Sequence, residues 1–196
     1  MKFSEREIRE IAISAVVLAF AFGGLNNFLP ALFAVGVGFL AHELLGHKLF
    51  AQRLGAEAEY RMWPTGLLLA AFLGLVRVAT GGGFIFAAPG AVYFSPVVRG
   101  PFAFAVHRFT DKDVGIVSLA GPAVNIALGA AFFGLSLFAL PSLFGYAAGI
   151  SFFLAFFNLI PFPPLDGHKV FKWSKPVWLA AIAAAFAGMV LMNIGL

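Results

Sequence analysis

Five stretches of this chain stay apolar for long enough, or nearly so, to cross a lipid bilayer, and that leaves few architectures open. They are residues 8–25, 30–52, 114–139, 143–160 and 175–195, against the about 20 helical residues that a hydrocarbon slab of roughly 30 Å requires. Backbone amides in lipid must find partners within their own segment, so these stretches are expected to be helices. Hydrophobic residues make up 61% of the sequence and charged ones 11%, where a soluble domain carries about 25% charged. The expected fold class is an all-α polytopic membrane protein with about five spanning helices, built as one domain over 1–196. The opening MKFSEREIREIAIS mixes acidic with basic residues and has no small-residue cleavage site after its apolar run, so the first helix is expected to be retained.

A sixth apolar run, from Thr65 to Leu75, is only 11 residues long before Val76 and Arg77, the length of a re-entrant segment. In GGGFIFAAPGAVYFSP, residues 81–96, aromatic and β-branched residues flank an AAPG turn, the pattern of a small β-hairpin. Open sheet edges cannot face lipid, so a hairpin at 83–94 is expected to be membrane-associated, docked on protein or lying at the interface. If the sixth run does not cross, all 13 Lys and Arg fall on one side. The positive-inside rule then makes that side cytoplasmic, with 61–112 as one cytoplasmic-side insertion, the N-terminus cytoplasmic and the C-terminus outside. The net charge of +4 thus reflects a membrane protein's loops and calls for no nucleic acid.

The ionisable residues within this apolar frame are few. His42, Glu43 and His47 stand in the cytoplasmic half of the second span, in AHELLGHKLF, and Asp166 follows the fourth span on the same side. A carboxylate at membrane depth is costly and marks function by default. There is no cysteine, so a metal here takes histidine and carboxylate ligands. Two histidines and one carboxylate leave a position open for water, as a catalytic zinc requires. Glu43 is then free to take a proton from that water.

Three motifs in order carry a resemblance. They are the His42-Glu43…His47 element, Gly121-Pro122 with Asn125, and Asn158…Pro161 with Leu165-Asp166-Gly167. The chain resembles the site-2 protease family of intramembrane zinc metalloproteases over about residues 30–170. The resemblance implies one zinc held by His42, His47 and Asp166, with Glu43 as general base and Asn158 as a donor to the oxyanion. It also implies a membrane-embedded, regulatory protein as substrate, cut in or near its transmembrane segment. Asn125 is a candidate for substrate contact or for bridging packed helices. Phe84 and Phe86, on the hairpin, are candidates for gripping an extended substrate by strand addition. His107 and His168 read as interfacial side chains.

One departure stands against the resemblance. The family motif is H-E-x-x-H, and this chain has one residue more between its histidines. In an unbroken α-helix His42 and His47 would point about 140° apart and could not share an ion. A π-bulge would absorb the extra residue, and Gly46 would ease the distortion. Strain of about 1–3 kcal/mol is small beside the roughly 10–16 kcal/mol a structural zinc site returns. The alternatives are ligation by Glu43, His47 and Asp166, or an inactive homologue serving as a membrane helix-binding scaffold.

Overall fold

The computed structural model describes residues 2–96 and 109–194. In chain order these form α1 (Glu5–Gly23), α2 (Phe28–Leu40), a π-helical turn (Ala41–Lys48), α3 (Leu49–Arg53), β1 (Ala56–Met62) and α4 (Pro64–Thr80). There follow β2 (Gly90–Pro96), α5 (Asp111–Ser136), α6 (Pro141–Asn158), α7 (Asp166–Trp173) and α8 (Lys175–Ile194). The segments α2, π-turn and α3 make one continuous rod, Phe28–Arg53. Among the described residues four helices are long and apolar enough to cross a membrane: that rod, Asp111–Ser136, Pro141–Asn158 and Lys175–Met192.

The expected first span is not among the four. The first two turns of α1 carry Glu5, Arg6, Glu7, Arg9 and Glu10, too many charges for a lipid-facing helix. Two of them instead serve the small sheet. Glu7 and Glu10 are buried, and they accept the backbone N–H groups of Tyr60 (2.9 Å) and Met62 (2.9 Å) from β1.

That sheet has two antiparallel strands, but their pairing differs from the expected local hairpin. β2 pairs with β1, in register at Tyr60↔Val92, and α4 lies between the two strands in sequence. Of the segment 83–94, residues 83–89 hold no strand. Phe86 instead packs between Trp63 and Phe157, with ring centroids 6.1 and 5.5 Å away. Aromatic packing against α6 therefore takes the residues that alternation alone assigned to a first strand.

The sixth apolar run is a helix of 17 residues, not 11. Sequence reading ends the run at Leu75, before Val76 and Arg77, yet the Arg77 guanidinium is satisfied by the carbonyls of Phe22 and Ala21 at the C-terminus of α1. The helix continues to Thr80 and closes on Gly81, whose φ of 76° suits glycine. A Cβ on Gly74 would stand 3.0 Å from Ala21 Cα, and one on Gly24 would stand 2.9 Å from Val78. Thus α4 runs beside α1 to its far end, and the chain returns through 82–89 to the sheet. Arg77 lies at that far end, so the basic residues do not all share one level.

The membrane core is held by small residues that admit large ones. Phe152 of α6 fills the space facing two glycines, since a Cβ on Gly129 or Gly188 would come within 2.8 or 2.3 Å of its ring. This is how helices in lipid gain dispersion contact without a hydrophobic drive between them.

Candidate metal centre

Each side chain of the site is presented by a local feature of the sequence. The π-turn is the first. Its i→i+5 hydrogen bonding places residue 47 over residue 42, and His42 Nε2 lies 3.0 Å from His47 Nε2. The bulge expected from the five-residue spacing is therefore present, extended over eight residues. Leu45, the residue that makes the spacing long, is 52% exposed. It contributes little burial, so deleting it should restore H-E-x-x-H geometry in a regular α-turn and leave zinc stoichiometry unchanged. Metal analysis of the purified deletion protein checks this, and a metal-free folded product would refute it.

Gly46 has a different part from the hinge expected of it. A Cβ on Gly46 would meet Gly121 Cα at 2.5 Å, and a Cβ on Gly121 would meet His47 Nε2 at 2.5 Å and His42 Nε2 at 2.8 Å. The two glycines let the π-turn and α5 touch backbone to backbone, directly behind the imidazoles.

Asp166 comes from the start of α7. Gly167 has no room for a side chain, because a Cβ there would lie 2.0 Å from Leu159 O. The first turn of α7 is thereby pressed onto the end of α6. Asp166 Oδ2 stands 3.0 Å from His47 Nε2 and 3.6 Å from His42 Nε2. Its Oδ1 accepts from Lys169 Nζ at 3.3 Å.

Further contacts orient the rings. His47 Nδ1 lies 2.8 Å from Val117 O. That carbonyl can only accept, so the ring carries its proton on Nδ1 and leaves Nε2 as a bare lone pair. His42 Nδ1 lies 3.0 Å from the Asn125 amide, whose Oδ1 is buried without a partner. The two ends of an amide exchange by rotation. With Oδ1 turned to His42, it accepts the Nδ1 proton and frees Nε2 in the same way. Two lone pairs and a carboxylate oxygen then converge, within 4.8 Å of one another. Such a donor set is repulsive unless a cation sits among it, and it matches the N,N,O set of zinc. Asn125 thus touches a histidine, as a partner that fixes the ring of a metal ligand would.

Glu43, one residue beyond His42, is buried beside this cluster but is not one of the three converging groups. Its Oε2 has no partner among the described residues, and the Val92 backbone amide of β2 faces its carboxylate. Asn158 is not brought into the cluster in this conformation. It ends α6 with its amide donating to Leu154 O at 2.9 Å. Phe84 is 62% exposed on the returning segment, and Phe86 is partly covered by its aromatic neighbours. His168 is exposed and outside the cluster, and His107 lies outside the described residues. Sequence reasoning missed Glu7 and Lys48, whose buried ion pair sits next to His47. The signal was available: a lysine inside an apolar helix needs a partner.

The model of Peptidase family M50 matches residues 138–195. A Methanocaldococcus jannaschii protein named "Putative zinc metalloprotease" is 40% identical over 186 residues, covering 90% of this chain and 89% of its own. No solved structure matches the chain.

Proposed function

Because the chain belongs to peptidase family M50, the site-2 protease family, we propose that it is an intramembrane zinc endopeptidase cutting membrane-anchored regulatory proteins in or near their transmembrane segments. The observation that carries the reading is the convergence of His42 Nε2, His47 Nε2 and Asp166 Oδ2 on one point. These three would hold one zinc per chain. When bound, the ion lowers the pKa of its water toward about 7 and polarises a carbonyl.

The remaining work falls to this chain's own residues. Glu43 takes the proton of the attacking water and hands it to the leaving amine. Its Oε2 has no partner among the described residues, which supports that role. Asn158, released from Leu154 O, is a donor for the developing oxyanion, a type of contact worth roughly 3–4 kcal/mol.

An unwound substrate needs partners for its backbone, and the sheet offers them on one side only. Tyr60 and Met62 turn their N–H groups to Glu7 and Glu10, which closes the outer edge of β1. Opposite residues in an antiparallel pair point the same way with respect to the ladder, so Val92, facing Tyr60, turns its own N–H outward from the pair. That open edge of β2 is the one that faces Glu43. A substrate strand added there lies against the base, with Phe84 and Phe86 leading toward it. We place the ligand end and the N-terminus on the cytoplasmic side, since Lys48, Arg53, Arg61, Lys169 and Lys172 gather at that end.

Metal content tests the reading. The detergent-purified protein is expected to hold one zinc per chain and to lose it when His42, His47 or Asp166 is changed singly to Ala. A folded, metal-free wild type would instead support the non-catalytic helix-binding scaffold.

A further inference from the structure

The buried ion pair beside the metal centre carries an inference of its own. Lys48 follows the ligand His47 directly and is fully buried, as is Glu7 of α1. Lys48 Nζ donates to Glu7 Oε1 at 2.7 Å, to Glu7 Oε2 at 2.6 Å and to the backbone oxygen of Lys2 at 2.7 Å. Glu7 Oε1 also accepts the N–H of Tyr60 at 2.9 Å. One carboxylate therefore grips both the residue after a metal ligand and a strand of the sheet. Tyr60 stands opposite Val92, and the Val92 amide faces Glu43, back on the metal-bearing rod. The contacts form a closed ring: His47, Lys48, Glu7, Tyr60, Val92, Glu43.

We propose that Glu7, with Lys48 as its counter-ion, is a positioning residue that fixes the sheet relative to the metal-bearing rod and so sets the register in which an extended chain on β2 meets Glu43. The consequence for substrate rests on the peptidase reading; the mechanical coupling does not. Two observations separate this role from plain stability. An ion pair in a buried setting is a poor source of stability compared with apolar packing, but it is directional. The Tyr60 hydroxyl makes a second, parallel attachment to α1 through Ser14 Oγ at 2.8 Å, so the strand stays on α1 when the pair is removed. Tyr60 also meets the rod edge-on at Phe39, ring centroids 5.5 Å apart, and Glu7 adds the directional tie from α1 and the strand to Lys48.

Changing Lys48 alone leaves an uncompensated buried carboxylate and can unfold the protein. The test therefore uses the double variant Glu7→Gln/Lys48→Met, which removes both charges and keeps an acceptor for Tyr60 N–H. The chain has no cysteine, so spin labels can be placed at Leu29 on α2 and Tyr93 on β2, 74% and 68% exposed. In the full-length, zinc-treated protein the inter-label distance distribution should broaden about twofold in the double variant, reporting a sheet freed to move. Zinc stoichiometry should match the wild type. A distribution as narrow as the wild type's overturns the proposal, and so does loss of zinc in the double variant alone, which would make the pair a support of the metal site. Absence of zinc from both proteins would sink the peptidase reading and leave the distance comparison to decide this one.

Discussion

Glu43→Gln is expected to keep its zinc and lose about 10²–10⁴-fold of its proteolytic rate, the usual span of a general base. The substitution preserves volume and removes only the group that accepts a proton. The expectation that metal survives comes from geometry, since His42, His47 and Asp166 meet without Glu43. Single-turnover cleavage beside metal analysis reads both quantities on one sample. Loss of zinc in this variant would turn Glu43 into a ligand and return the site to the altered ligation that a regular helix would demand.

The second large effect is expected from one methyl group. Gly121→Ala places a Cβ 2.5 Å from His47 Nε2, 2.6 Å from His47 Cε1 and 2.8 Å from His42 Nε2, inside the volume where the ligand atoms converge. The backbone behind cannot retreat, because Gly46 already touches Gly121 from the other helix. Overpacking of this kind costs about 1–3 kcal/mol of stability. The greater cost falls on the rings, which must turn away, and zinc affinity should drop by at least the roughly 10–100-fold that follows loss of an orienting contact. Gly134→Ala on the same helix is the control, since nothing lies within 4 Å of a Cβ there. Equal zinc affinity in Gly121→Ala and wild type would mean that α5 does not cradle the ligands.

Much of this was legible in the sequence because membrane segments announce themselves by length and because ionisable residues within them are few. The long apolar runs became helices within a few residues of their expected ends. The π-turn followed from phase once His42 and His47 were taken to share one ion, as five residues cannot bring two rings together on an α-helix. What stayed hidden were pairings between distant segments. Alternation around 81–96 signals extended chain but does not name the partner strand, and β1 lies on the far side of a whole helix. Arg77 reads as a helix end until the carbonyls of Ala21 and Phe22 are placed beside it. Glu7 and Glu10 look like the solvated start of α1, and only the strand across from them makes them acceptors.

The π-turn bears on how a metal motif should be written down. H-E-x-x-H is a count of residues, and a search by that count passes over this chain. What the turn preserves is azimuth: two rings on one side of a rod, whatever number of residues lies between them. A spacing of five with a widened backbone and a spacing of four with a regular one are the same site expressed in different pitch. In membrane helices rich in histidine and carboxylate, a motif one residue too long is therefore a statement about local backbone winding before it is evidence of lost activity.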